Sequence, residues 1–235
     1  MIRILYKISK TLKASGFWGR HGLKISLILV GFVLIIVILS NYVKPGPIVM
    51  GFASDSLSVE QEPLQSPIET AESFEIQVPR GTFTVTPLAH YSIAALVVSK
   101  KKYSTDWNAQ LAPFDLALAW GDLALPENNR QVKYEQYSRW YRFKVEPDSS
   151  LSIDYIYKHS ANTHLIPANS NVHRAIEQIQ EKDVVLLEGY LVNLKGTYKN
   201  RTYFWNSSTS RADTGNGSCE VLYVKRIQIE DRIYE

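Results

Sequence analysis

Hydrophobic and polar positions fall into three regimes along this chain. The first is ISLILVGFVLIIVILSNYV, Ile25 to Val43, an uncharged run bounded by Lys24 and Lys44. At about 1.5 Å per residue it is long enough to cross a bilayer core. Leu, Ile and Val lie on every face with no polar stripe, unlike a helix packed on a soluble core, so the run predicts a transmembrane helix. The second regime, residues 44–79, keeps neither a period of 2 nor one of 3.6. It sets Pro45, Pro47, Pro63, Pro67 and Pro79 among Ser and Glu, the composition of a semi-rigid stalk.

The third regime begins near residue 80 and reads as strands. TFTVTPL alternates, YSIAALVV is a continuous apolar run ending at Lys100–Lys102, and YRFKV alternates again. LSIDYIY puts Leu151, Ile153, Tyr155 and Tyr157 on one strand face; VVLLEGYLV, YFWNSS and CEVLYVKRIQI add three more strands. One helix interrupts them, with Val172, Ala175, Ile176 and Ile179 on one face and Asn169 or Ser170 as its N-cap. The expected fold class is α+β or mostly β: a small OB-like barrel, or a sheet with one packed helix, preceded by one transmembrane helix. Gly189 inside VVLLEGYLV is the position expected to let a strand bend and the barrel close. The expected division is a basic segment over 1–24, the span over 25–43, the stalk over 44–79 and an exported β-rich domain over 80–235.

Charge sets the orientation. Arg3, Lys7, Lys10, Lys13, Arg20 and Lys24 precede the span with no acidic residue among them, and Lys44 alone lies in the first stretch after it. The positive-inside rule then keeps the N-terminus cytoplasmic and exports the rest, to the periplasm or cell exterior. A cleaved signal peptide competes, with Gly51 and Ala53 as small residues before a cut, but its apolar region would be unusually long. Residues 1–14 fit either a basic amphipathic helix on anionic lipid or a basic tail. The net charge of +3 comes from this N-terminal excess, so the remainder is mildly acidic and gives no footprint for nucleic acid. Cys219 is the only cysteine, which excludes an intramolecular disulfide and any multi-cysteine zinc motif.

The candidate chemistry centres on HSANTHLIPANSNVHRA, residues 159–175, which holds three of the five histidines. His159, His164 and His173 are the metal candidates, with Asp154 as an added carboxylate, although no recognised spacing is present and no cofactor is expected. The plainer reading is a polar loop whose Ser and Asn side chains bond backbone while Leu165 and Ile166 fill the core. Cys219 paired with His159, His164 or His90 would be a thiol hydrolase pair, and a buried strand cysteine is the alternative. DTGNG, Asp213–Gly217, carries an Asp-Thr-Gly triplet but no second copy, so it reads as a hairpin turn. WNSSTSR offers Ser207, Ser208, Ser210 and Arg211, the last able to hold a carboxylate. Tyr134, Tyr137, Trp140, Tyr141, Tyr198, Tyr203 and Trp205 supply aromatic surface of the kind that stacks sugars.

HSANTHLIPAN, DVVLLEGYLV and WNSSTSRADTGNGSCE, in that order, resemble an uncharacterised family of bacterial single-pass membrane-anchored proteins over roughly residues 90–230. The resemblance implies an inner-membrane protein with an exported domain and carries over no activity. The expected role is a tethered binding module for an envelope protein or polymer. Its contact residues would be Asn162, His164, Asn169, Trp205, Ser208, Arg211 and Asp213. The rival is an envelope hydrolase using His159 and His164 with Cys219 or a bound metal.

Overall fold

The strand pattern that opens near residue 80 runs on through the continuous apolar stretch and the lysine cluster, so Gly81–Lys102 forms one 22-residue strand, β4. In the computed structural model, which describes residues 25, 28–36, 46, 49–50, 57–70, 72–210 and 218–235, this strand organises the fold. Before it come β1 (Val49–Met50), β2 (Leu64–Pro67) and β3 (Phe74–Val78). After it come β5 (Phe114–Ala119), β6 (Val132–Tyr137), β7 (Trp140–Val145) and β8 (Ser160–Pro167), then β9 (Val184–Tyr198), β10 (Arg201–Asn206), β11 (Glu220–Ile229) and β12 (Arg232–Tyr234). Two helices matter to the argument, α1 (Ile153–Lys158) and α2 (Ser170–Gln178).

One edge of β4 pairs with β9 from Thr82↔Thr197 to Leu96↔Val184, and the other edge takes β3, β2 and β5 in succession. Strand β5 pairs antiparallel with β8, β8 parallel with β11, and β11 antiparallel with β9. The pairing therefore returns to β4, and five strands form a closed hydrogen-bonded ring. Bulges between Pro87 and Ala89, Val97 and Ser99, and Val224 and Arg226 supply the bends such a ring needs. Gly189 sits at the last of these. A Cβ there would lie 1.9 Å from the Tyr223 carbonyl oxygen, so only glycine lets β9 approach β11 this closely. The protein is mostly β, with a mixed sheet and few helices.

Tyr91, Ile93, Leu116, Leu118, Leu187 and Leu222 fill the ring together with Val172 and Ile176 of α2. A second cluster joins Phe83, Val85 and Leu194 to Leu111 of the β4–β5 connection, and a third lies under the β6–β7 hairpin around Leu123, Val132 and Ile156. Helix α2 closes one end of the ring. Asn169 caps its N-terminus by accepting from the Asn171 and Val172 amides. Lys100 donates to the Ile176, Glu177 and Ile179 carbonyls at 2.7, 2.9 and 2.7 Å, satisfying groups a helix C-terminus leaves open.

Three expectations are corrected. LSIDYIY is not a strand: Ser152 accepts from the Tyr155 amide, Lys158 pairs with Asp154 one turn back, and the segment winds into α1. Ser160–Asn169 is not a polar loop, because all of Ser160–Ile166 is buried in β8 between β5 and β11. The described part of the 44–79 segment is not a free stalk either, since β2 and β3 lengthen the sheet along β4.

The chain divides into two units, Met1–Lys44 and Pro45–Glu235. In the first, residues 28–36 are helical, and Ile28, Leu29, Val30 and Phe32 to Ile36 are each more than half exposed. Of the expected span over 25–43, residues 26–27 and 37–43 lie outside the described residues. Among the described residues no helix is long and apolar enough to cross a membrane.

Candidate functional site

Two places gather polar groups: a buried cluster on the outer face of β5 and β8, and an open groove on β4, β9 and β11. The cluster begins with a pleat. Asp115 lies opposite His164, and Ala117 opposite Asn162, so their side chains share a face. Asp115 has no exposed surface, and Asn162 and His164 are 1% and 2% exposed.

A charge so placed needs a partner, and the tip of the β6–β7 hairpin provides one. Tyr137 pairs with Trp140, leaving a two-residue turn in which Ser138 (φ 47°) and Arg139 (φ 70°) are both left-handed. Asn-Gly is the usual choice there, and side chains with a Cβ carry strain. Arg139 offsets it with contacts. One guanidinium nitrogen donates to Asp115 at 2.8 Å and the Ala112 carbonyl at 2.9 Å; the other donates to both Asp106 oxygens at 3.0 and 3.2 Å. The guanidinium also stacks 3.8 Å from the Tyr103 ring centroid. His164 Nδ1 lies 2.9 Å from Asp115 Oδ1, off the line of a full hydrogen bond, while its ring packs 4.6 Å from that of Trp205.

The network extends along β8. Asn162 accepts from Gln136 at 2.6 Å, donates to the Arg139 carbonyl at 3.1 Å, and approaches Cys219 Sγ at 3.8 Å. The Tyr141 hydroxyl contacts Ser160 Oγ at 2.9 Å and donates to the Ser160 carbonyl, and Ser160 Oγ in turn donates to the Ile156 carbonyl. Burial pushes the Tyr141 hydroxyl up to about 12; the Ser160 bond opposes this, and the nearby Glu220 and Cys219 add to it. Tyr141 thus stays a neutral donor. Burial, helped by Tyr141, also raises Tyr134, whose hydroxyl has no hydrogen-bond partner among the described residues. Asp115, Asn162, His164 and Ser160 are buried while the Asp106 side chain keeps 41% of its surface exposed, and together the cluster pins the hairpin to the sheet.

The histidines go to separate places. His159 sits outside that cluster, its Nε2 3.0 Å from Glu62, its Nδ1 on the Tyr155 carbonyl and its ring stacked 3.8 Å from Tyr155. Glu62 also accepts from the Trp120 indole at 3.0 Å, so a residue of the expected stalk is bound to the domain. His173 packs on Phe114 from α2. No three His, Cys, Asp or Glu side chains among the described residues gather as a metal requires. Ser208 is buried beside Cys219, donating its amide to the Cys219 carbonyl, and Asn169 is engaged as a helix cap. Arg211 and Asp213, with the DTGNG turn, lie outside the described residues. Asp115, Arg139 and Gln136 were absent from the sequence-derived candidates. The one signal available was an acid inside the apolar run FDLALA.

The groove encloses about 590 Å³ between His90 and Ser92 of β4, Glu188 and Tyr190 of β9, Lys225 and Arg226 of β11, Asn169 and Glu235. Arg226 donates to Glu188 at 2.8 Å and lies 3.3 Å from Glu235. Lys225 Nζ sits 5.2 Å above the Tyr190 ring, His90 meets that ring edge-on at 5.1 Å, and Tyr223 runs parallel to it. Acid, base and aromatic faces thus meet in one open cleft. These residues are scattered along the sequence, so no local motif announces them. No family model, curated protein or solved structure matches the chain.

Proposed function

We propose that this protein is a single-pass, membrane-tethered binding module whose β domain, an OB-like barrel, is exported and binds an envelope polymer in the β4–β9–β11 groove. Support for the OB-like reading comes from the ring order β4–β5–β8–β11–β9, with its one parallel pair and with α2 between β8 and β9, the third and fourth ring strands in chain order. In OB-folds the second and third strands usually bear the ligand. Here those are β5 and β8, and Arg139 holds the β6–β7 hairpin over them. Binding is therefore assigned to the other strands. The anchor reading rests on the apolar run from Ile25 to Val43 and the basic residues before it.

The single observation that carries the ligand assignment is the groove's mixed lining. Tyr190 and His90 supply ring surface, and Arg226, Lys225, Glu188 and Glu235 supply both signs of charge. That chemistry suits a glycan strand bearing amino and carboxylate groups. The hydrolase reading has less support, because His159 and His164 lie apart, the first against Glu62 and the second buried beside Asp115, and no three His, Cys, Asp or Glu side chains gather among the described residues. Co-sedimentation of the detergent-solubilised full chain with purified, insoluble envelope glycan tests the proposal. The wild type should pellet, and Tyr190→Ala with Arg226→Ala should weaken binding roughly tenfold, about 1.4 kcal/mol. Unchanged binding in the double variant would reject the groove.

A further inference from the structure

The main path of the ten-stranded sheet ends at β1, two residues long, and at β10, six residues long, while β2 and β3 pair with β4 off that path. Strand β10, RTYFWN, contains no proline and no lysine, the residues that usually blunt a free edge. Phe204 at its centre is 70% exposed and Tyr203 44%. Among the described residues no strand pairs with its outer side. We propose that this edge is the site at which a second copy of the chain adds, β10 against β10 in antiparallel register about a dyad through Phe204.

Geometry selects that register. Tyr198 pairs with Arg201 across a two-residue turn, Lys199 (φ 49°) and Asn200 (φ 58°), which makes that pair hydrogen-bonded. By alternation Arg201, Tyr203 and Trp205 bond inward to β9, and the N–H and C=O groups of Thr202, Phe204 and Asn206 point outward. A dyad normal to the sheet keeps side chains on their own faces, so it passes through a single residue position. Centred on Phe204, it joins Thr202 to Asn206, Phe204 to Phe204 and Asn206 to Thr202 through outward groups. Centred on Tyr203, it leaves one fewer such pair. The Phe204 register also sets Tyr203 against Trp205 on the opposite face and Arg201 against Ser207, so no like charges meet. It buries the exposed Phe204 ring against its own copy.

The test uses the full chain in detergent micelles, with association followed by sedimentation equilibrium and by disulfide trapping. A hydrogen-bonded antiparallel pair sets its Cα atoms about 5.5 Å apart, within disulfide range. Phe204→Cys should therefore trap a covalent dimer that Thr202→Cys and the wild type, with Cys219 alone, do not form. Phe204→Lys puts two like charges at the dyad and should shift the chain to monomer. Because Phe204 is exposed, this variant retains its far-ultraviolet spectrum. A wild type that is monomeric throughout, a dimer that survives Phe204→Lys, or trapping by Thr202→Cys equal to that by Phe204→Cys would each overturn the proposal. None of these readouts depends on glycan binding.

Discussion

A carboxylate with no exposed surface, Asp115, is tolerated in β5 because Arg139 and His164 reach it. Removing one partner of a buried pair leaves an uncompensated charge, which costs about 3–5 kcal/mol. Arg139→Ala should therefore destabilise the protein by about that amount in urea titrations followed by tryptophan fluorescence. Adding Asp115→Asn should recover a substantial part of the loss, since the stranded charge is then gone. A loss below about 1 kcal/mol for Arg139→Ala, with no recovery, would show the pair to be idle. At this scale the sequence is a poor guide to exposure. The histidines of HSANTH stand out by type, but whether His164 faces solvent depends on Asp115 and Arg139, 49 and 25 residues away. Asp115 was the better clue, because a lone acid in an apolar strand demands a counter-ion.

Helix α2 is the element most legible from its pattern and the one whose ends depend on distant residues. Its apolar face at Val172, Ala175, Ile176 and Ile179 is buried as the 3.6-residue period requires. Its C-terminus is held by Lys100 and by the Lys102–Glu177 ion pair, from a strand some 75 residues earlier. The Lys102 hydrogen bond holds the Glu177 carboxyl below its ordinary value of 4.5. A carboxyl depressed by folding adds stability above the unfolded value and loses it as pH falls through the folded one. The stability gap between wild type and Glu177→Gln should thus be present at neutral pH and close below about pH 4.5. Both side chains are exposed, so the gap should be at most about 1 kcal/mol. A gap of equal size at pH 7 and pH 3 would exclude the ion pair as its source. Strand and helix patterns diverge only over longer segments, which is why LSIDYIY misled: across six residues the cap at Ser152 decides. Strand β8 was hidden for the opposite reason, since its polar side chains are satisfied only by neighbouring strands and the hairpin.

Across the whole molecule, closure of the ring was readable at Gly189, where the missing Cβ lets β9 meet β11. The groove was not, because it assembles from positions 90, 188–190 and 225–226, which only the ring brings together. Membrane tethering and glycan binding are proposed for one chain whose β domain covers its β5–β8 face with its own hairpin and leaves the β4–β9–β11 face open. The most direct measurement is photocrosslinking in intact cells, with a photoreactive residue in place of the exposed His90 in the full-length protein. The account predicts a heterogeneous high-mass adduct that collapses on digestion with a glycan-cleaving enzyme and disappears when Arg226→Ala is added. A single sharp protein adduct that resists the enzyme, or no adduct from protein that is folded and exported, would contradict it.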